Sequence, residues 1–354
     1  MPAAPETLTA RRLNRALLAR QNLLERASVP LTDMVERMGG IQMQYAPSGY
    51  IGLWTRLADF ERDALTRALE SREVIQGTLM RGTIHTVSAH DYWLMAAGIR
   101  APRREWYERV TAKERGELRV DDLAQAVREI LADGPHRQKE IELALVARGL
   151  PPRAFGWAQV AVDLVRVPPS GTWERRRADL YGLSEQWLDN RGRPSEEEGL
   201  SLLLARYLGA FGPARIHDFA DWAGVTLPRA RQTAATTELV TFRDEHGRDL
   251  IDLPEAPLPP ENVPAAVRFL PTWDATLLVH ARRTQILPEQ YRTRIFHIRM
   301  PQSIGTFLVD GQVAGTWRWE VAATRVVAQP FEPLNSATQR EVDREADALT
   351  EFHK

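Results

Sequence analysis

Two glutamines separated by one residue, Gln42 and Gln44, stand in a stretch from Gly39 to Thr55 that carries no charged side chain. In extended backbone, residues two apart point to the same side, so both amides would face one cavity while Met43 packs behind them. A primary amide donates and accepts hydrogen bonds but does not titrate, so such a pair would position a reactant rather than take its proton. The competing reading is that the two amides satisfy buried backbone groups in a loop. Other chemistry is scarce. The 354 residues include no cysteine, which excludes disulfides, thiolate metal sites and cysteine nucleophiles. No spacing of His, Asp and Glu points to a metal, and no glycine-rich phosphate loop follows a strand, so neither metal nor cofactor is expected.

The elements that must hold this pair follow a repeating order. Apolar residues recur at helical spacing over 13–24, with further helices over 33–38 and 59–71. Residues 76–87 read as two strands turning near Arg81-Gly82. The order returns with helices over 120–131, 138–147 and 155–165 and a hairpin-like segment over 168–181. It returns again with helices over 197–208, 216–223 and 227–234 and two short strands over 239–251. Gly134-Pro135 and Gly212-Pro213 mark helix starts in the second and third rounds. Helix, turn, helix, helix, hairpin is the order of a winged helix, and three rounds in one chain argue for a tandem array. A proline-rich linker over 254–260 precedes a strand-rich tail. In that tail Asp310-Gly311 is the dipeptide a two-residue type I′ turn demands, and a last helix over 336–352 reads as a docked cap. The expected fold is α+β, mainly α, with winged-helix units at 1–112, 113–193 and 194–256 and a C-terminal β-rich element at 257–354.

Net charge is −1, so any basic surface must be local. Six arginines lie between Arg268 and Arg299 against Asp274 and Glu289, Arg175 to Arg177 form a second cluster, and Arg11, Arg12, Arg15, Arg20 and Arg26 recur along the first helix. Solvated helix and strand faces are the bland explanation of each cluster. The start of the chain lacks the apolar core of a signal peptide and no apolar run is long enough to span a bilayer, so a cytoplasmic protein without membrane contact is expected.

The Gln-x-Gln motif after two helices, the segment Leu79-Met80-Arg81-Gly82-Thr83-Ile84-His85, and the tail segments Leu270-Pro271-Thr272-Trp273-Asp274 and Val309-Asp310-Gly311-Gln312-Val313-Ala314-Gly315-Thr316-Trp317 together resemble the AlkZ-like DNA glycosylases, from about Leu13 to Glu320. The resemblance implies a monomer acting on double-stranded DNA that contains alkylated guanine. Gln42 and Gln44 would be the catalytic pair; a sister branch carries aspartate in place of the second glutamine. It also implies a link to self-resistance against DNA-alkylating natural products, and with it the chance that interstrand crosslinks are substrates. Alkylation at N7 makes guanine cationic and already a good leaving group, so two neutral amides suffice to hold water and sugar at an oxocarbenium-like centre.

Residues expected to meet the DNA are Arg81, His85 and Thr86 on the first hairpin, Arg282 and Arg283 in the basic tail, and Gln312 and Arg318 around the tail hairpin, whose turn is expected to approach the duplex. Structural roles compete for His85 and Arg81, and Trp54 is a weaker candidate for stacking on the adduct. The chain has three lysines, Lys113, Lys139 and Lys354, all distant in sequence from Gln42, so Schiff-base lyase chemistry is not expected. The alternative function is a non-catalytic winged-helix regulator of transcription.

Overall fold

A computed structural model describes residues 5–189, 192, 194–278, 284–296 and 304–354. Arg282, Arg283 and Arg299 lie outside the described residues. The chain is α+β and mainly α, with three antiparallel or mixed sheets set among helices. The largest sheet uses β1 (Ile41–Gln42), β2 (Val74–Thr78), β3 (Ile84–Ser88), β4 (His136–Arg137), β5 (Leu164–Arg166) and β6 (Leu180–Leu183), in the order β1-β3-β2-β5-β6-β4. The hairpin near Arg81 and the strand pair that follows it in sequence therefore run into one continuous sheet.

Register places Gln42 opposite His85 and His85 opposite Gly77, so these residues share one face of the sheet. Ile41, Thr86, Gln76 and Arg166 form the adjacent row on the other face. A second sheet joins Thr7–Leu8 to Val240–Asp244 and Asp249–Asp252. The third is built from β7 (Arg268–Leu270), β8 (Thr306–Val309), β9 (Gln312–Glu320) and β10 (Arg325–Pro330).

Helix α1 (Ala10–Arg20) starts at Thr9, whose side chain accepts from the Arg12 N–H. Its arginines do not form the basic face that their spacing permits. Arg15 and Arg20 are buried: Arg20 makes two 2.7 Å bonds to the Asp252 carboxylate, and Arg15 pairs with Asp310. Helix α2 (Ala46–Trp54) begins two residues after Gln44, over residues for which the sequence pattern names no element. Pro47 sits in its first turn, and residues 46–53 are all buried. A helix covered on every side has no polar stripe, so its period is invisible in the sequence.

The longest helix, α3 (Ala89–Arg115), falls where the sequence pattern names no element, because its apolar residues are spread around its circumference. Ser88 caps it by accepting from the Asp91 N–H. It crosses α4 (Glu196–Phe211), which opens on a Ser195/Glu198 capping box. Residues 155–165, expected as one helix, are instead the short helix Ala154–Ala158 followed by β5. Trp157 and Val162 are needed in a small core there, and Leu164 and Val165 in the sheet. Helix α5 (Ile216–Ala223) and the terminal α6 (Ser336–His353) complete the elements around the site.

The tail hairpin has the turn its sequence demands: Asp310 and Gly311 have φ of 46° and 79°, and Val309 pairs with Gln312. Its environment differs from expectation. Asp310 pairs with Arg11 and Arg15, Asn14 donates to the Gly311 carbonyl at 2.7 Å, and a Cβ on Gly311 would lie 2.5 Å from Leu18. The turn is thus docked on α1.

Where α3 and α4 cross, Gly98 faces Gly199, and a Cβ on Gly199 would sit 2.4 Å from both Gly98 N and Leu94 O. Those atoms are backbone and cannot swing aside. Gly199→Ala is expected to cost about 2 kcal/mol or more through overpacking, seen as a lower urea midpoint; an unchanged midpoint would mean that the helices separate without penalty.

Candidate active site

Strand β1 ends at Gln42, but the ladder continues for one more bond, from Met43 N to Ile84 O at 2.8 Å. The returning bond is made by a side chain: Ile84 N donates to Gln44 Oε1 at 2.8 Å. Gln42 Oε1 accepts from Arg81 Nη2 at 3.2 Å, and Arg81 Nη1 donates to the Trp222 carbonyl of α5 at 2.7 Å. Both amides therefore converge on the end of the β2–β3 hairpin. Because each oxygen faces an N–H donor, the orientation of each amide is set, with NH2 directed away from that donor. Neither NH2 group has a partner among the described residues. The loop-satisfying reading is thus true of the Gln44 oxygen, while the donor ends of both amides stay available. Gln42 is 7% exposed and Gln44 is open to solvent.

Arg81 holds Gln42 from the turn Met80–Gly82, where its own φ is 54°. Arg81 is exposed as a residue, but its guanidinium turns inward to Gln42 and the Trp222 carbonyl, and the loss of water there lowers its pKa from the usual arginine value. His85, next to Gln42 across the ladder, is buried, and one ring nitrogen lies 3.1 Å from the Thr83 carbonyl. Burial first, and the Arg81 cation second, push its pKa down to about 3. The imidazole is therefore neutral near pH 7, with Nδ1–H donating to Thr83. Thr86 is wholly buried on the opposite face, its hydroxyl 2.7 Å from the Met43 sulfur, so it supports β1 and has no surface to offer DNA. Gln76 also reaches that sulfur, at 3.7 Å, which fixes Met43 behind the pair.

The far wall comes from α2 and from residues 271–275. Asp274 and Arg56 are both buried and form a two-pronged ion pair at 3.0 Å per bond, while Asp274 Oδ1 also accepts from the Thr276 N–H and hydroxyl. Just before Asp274, Trp273 is held at φ 64°, a left-handed conformation a bulky side chain seldom adopts. A cavity of about 10 Å3, room for one water, lies against Gln42, Ser48, Thr272 and Asp274. Trp54 is not part of this wall: it packs against Phe352, with Arg26 4.6 Å above its ring.

Of the remaining candidates, Arg318 is exposed on β9 and pairs with Glu320, and Gln312 is exposed beside the docked turn. No hydrogen bond among the described residues joins either to the glutamines. Arg268 is buried and donates to the Leu24 carbonyl, so it adds nothing to a basic tail surface. Two residues near the pair escape a reading by motif. Tyr45 follows Gln44, and Arg176 of the second arginine cluster donates to its hydroxyl at 3.0 Å; a sequence separation of 131 hides the contact. Glu36, His90 and Asp91 offer ligand atoms within 4.8 Å of one another, yet Arg206 already binds both carboxylates, at 2.6 and 2.7 Å. A guanidinium occupies the place a cation would take.

The family described as DNA glycosylase AlkZ-like matches residues 35–352 of the chain. An interstrand DNA cross-link repair glycosylase of Streptomyces sahachiroi is 25% identical, the match covering 93% of this chain and 92% of that protein. The solved structure of the Streptomyces sahachiroi DNA glycosylase AlkZ has the same fold, with a TM-score of 0.82 at 21% identity over 98% of this chain and 97% of that one.

The buried histidine makes stability depend on pH. A side chain whose pKa is about 3 in the fold and about 6.5 in the unfolded chain contributes fully above pH 6.5, and that contribution is lost as pH falls from 6.5 toward 3. His353, held down to about 4 by burial, acts with the same sign. Between pH 7 and 4.5 wild type should lose roughly 2 kcal/mol on account of His85. His85→Gln should lose that much less over the interval in urea titrations, and parallel losses would refute a neutral His85.

Proposed function

The chain belongs to the AlkZ-like DNA glycosylase family, and on that premise we propose that it hydrolyses the N-glycosidic bond of bulky N7-alkylguanine in duplex DNA, leaving an abasic site, with Gln42 and Gln44 at the reacting sugar. The observation that carries this reading is the anchoring of both amide oxygens on the hairpin end, to Arg81 and to Ile84 N–H, which aims two non-titrating donor groups from one rigid element. An N7-alkylated guanine leaves with its positive charge neutralised, so the departure needs no general acid. The amides orient the incoming water and the sugar or its phosphate oxygens, and the second lone pair on each Oε1 can accept from that water.

His85 fits a structural and not a proton-transfer role, since a base with pKa about 3 removes a proton from water poorly at neutral pH. None of the three lysines lines the cavity at Gln42, which supports a monofunctional enzyme without a Schiff-base step. Relatives named as glycosylases give no support to a non-catalytic regulator, and the relative named for interstrand cross-link repair supports crosslinks among the substrates. We further propose that the enzyme works as a monomer, chiefly through phosphate contacts to which Arg81, Arg282, Arg283, Gln312 and Arg318 contribute, and that it serves repair of or self-resistance to alkylating natural products. No described helix is long and apolar enough to cross a membrane.

The test is single-turnover excision from a duplex carrying one N7-methylguanine, with alkali used to reveal abasic sites. Gln42→Ala should slow excision on the order of 10²-fold with little change in DNA affinity. Gln44→Glu keeps an oxygen for the Ile84 N–H but replaces the free donor, so it should lose a similar factor without unfolding. The rate should be nearly flat from pH 6 to 8, and borohydride should trap no covalent adduct. Wild-type rates in both variants would remove the glutamines from the mechanism.

A further inference from the structure

Beyond the cavity at Gln42, across a wall formed by Ser48, Pro271 and Thr272, lies a second hollow of about 260 Å3. The hydroxyls of Ser48 and Thr272, 2.7 Å apart, close that wall. The hollow is aromatic. Tyr45 is 37% exposed at one side, and Trp319 lies parallel to His353 with ring centroids 4.6 Å apart and planes 8° from coplanar. Trp317 meets the same imidazole edge-on. Arg176 leans over Tyr45, and no carboxylate pairs with it among the described residues. Arg318 is also on the rim, but Glu320 engages its guanidinium.

We infer that this hollow receives one unmodified nucleobase displaced from the duplex next to the lesion, stacked on its aromatic walls with a backbone phosphate on Arg176. The inference rests on the reading of the glutamine pair as the excision site. Size argues for a single base: the volume falls just short of the ~300–1,000 Å3 that holds drug-sized ligands, and a base with a bulky substituent would not fit. Stacking on aromatic rings accepts any base, because every base has a π face, and so suits an enzyme with no sequence to read. An arginine without an acidic partner beside those rings offers a fork for phosphate oxygens. His353 adds a flat neutral surface, since burial together with the Arg176 and Arg62 cations keeps its pKa at about 4.

Binding to a fully paired duplex is compared with binding to duplexes in which a tetrahydrofuran residue leaves one base unopposed, either across from the lesion position or one step to each side. Wild type should prefer an unopposed base at one of these positions by about tenfold, the scale of one base–aromatic stack, and the preferred position identifies the source of the base. Trp319→Ala should abolish the preference while keeping affinity for paired DNA, and Trp319→Phe should restore it. Should Trp319→Ala fail to fold, the exposed Tyr45→Ala makes the same test. Equal binding by wild type at every position, or a preference that survives both alanine variants, would overturn the nucleobase site. Excision of N7-methylguanine is read separately: excision without the preference defeats this inference alone, and the preference without excision defeats the reading of the glutamines.

Discussion

A guanidinium shut away from solvent must have its charge answered inside the fold, and Arg56 is answered by Asp274. A buried pair of this kind gains little net energy over apolar packing, but losing either partner leaves an uncompensated charge. The geometry around it is accordingly fixed. Arg56 Nη2 also donates to Gln21 Oε1, Gln21 Nε2 donates to the Ala210 carbonyl, and Asp274 holds Thr276. Four segments distant in sequence are thus tied at one point: the residue after α1, the end of α2, the end of α4 and the loop carrying Trp273. The strained backbone of Trp273 persists because its neighbour Asp274 is held from several sides. The wall opposite Gln42 owes its position to this knot.

The opposite side of the site depends on a smaller set of bonds with the same logic. Arg81 spans from the Trp222 carbonyl to Gln42, and a ladder N–H is satisfied by the Gln44 side chain in place of a strand. Two side chains that must point accurately are therefore pinned by their acceptor ends, and only their donor ends remain to meet a ligand. Preorganisation of this sort supports catalysis because nothing has to be ordered at the moment of reaction.

How much of this was legible depended on whether a feature is local. The Gln-x-Gln pair, the hairpin turning at Arg81-Gly82 and the Asp310-Gly311 turn all announce themselves within a few residues, and the structure has each of them. Helix α2 is silent because it is buried all round. Arginine spacing misleads for a related reason: Arg15 and Arg20 show the same pattern whether they face solvent or carboxylates 295 and 232 residues away. The docking of the tail turn on α1 and the contact of Arg176 with Tyr45 are likewise long-range, and no local pattern encodes them. The terminal helix read as a plain cap, yet it ends on His353, beside Trp319 and the second hollow.

The pairing of α1 with the tail turn has a bearing on how the protein is made. Arg15 has its countercharge at Asp310 and Arg20 has its own at Asp252, so the first helix emerges from the ribosome long before either partner exists. At about 5–20 residues per second, that interval is on the order of 10–60 seconds. During it α1 carries guanidinium groups that cannot be buried without cost, which keeps it from sealing prematurely onto apolar neighbours. Burial of the two guanidinium groups together with their countercharges therefore has to wait until residues 252 and 310 have been made.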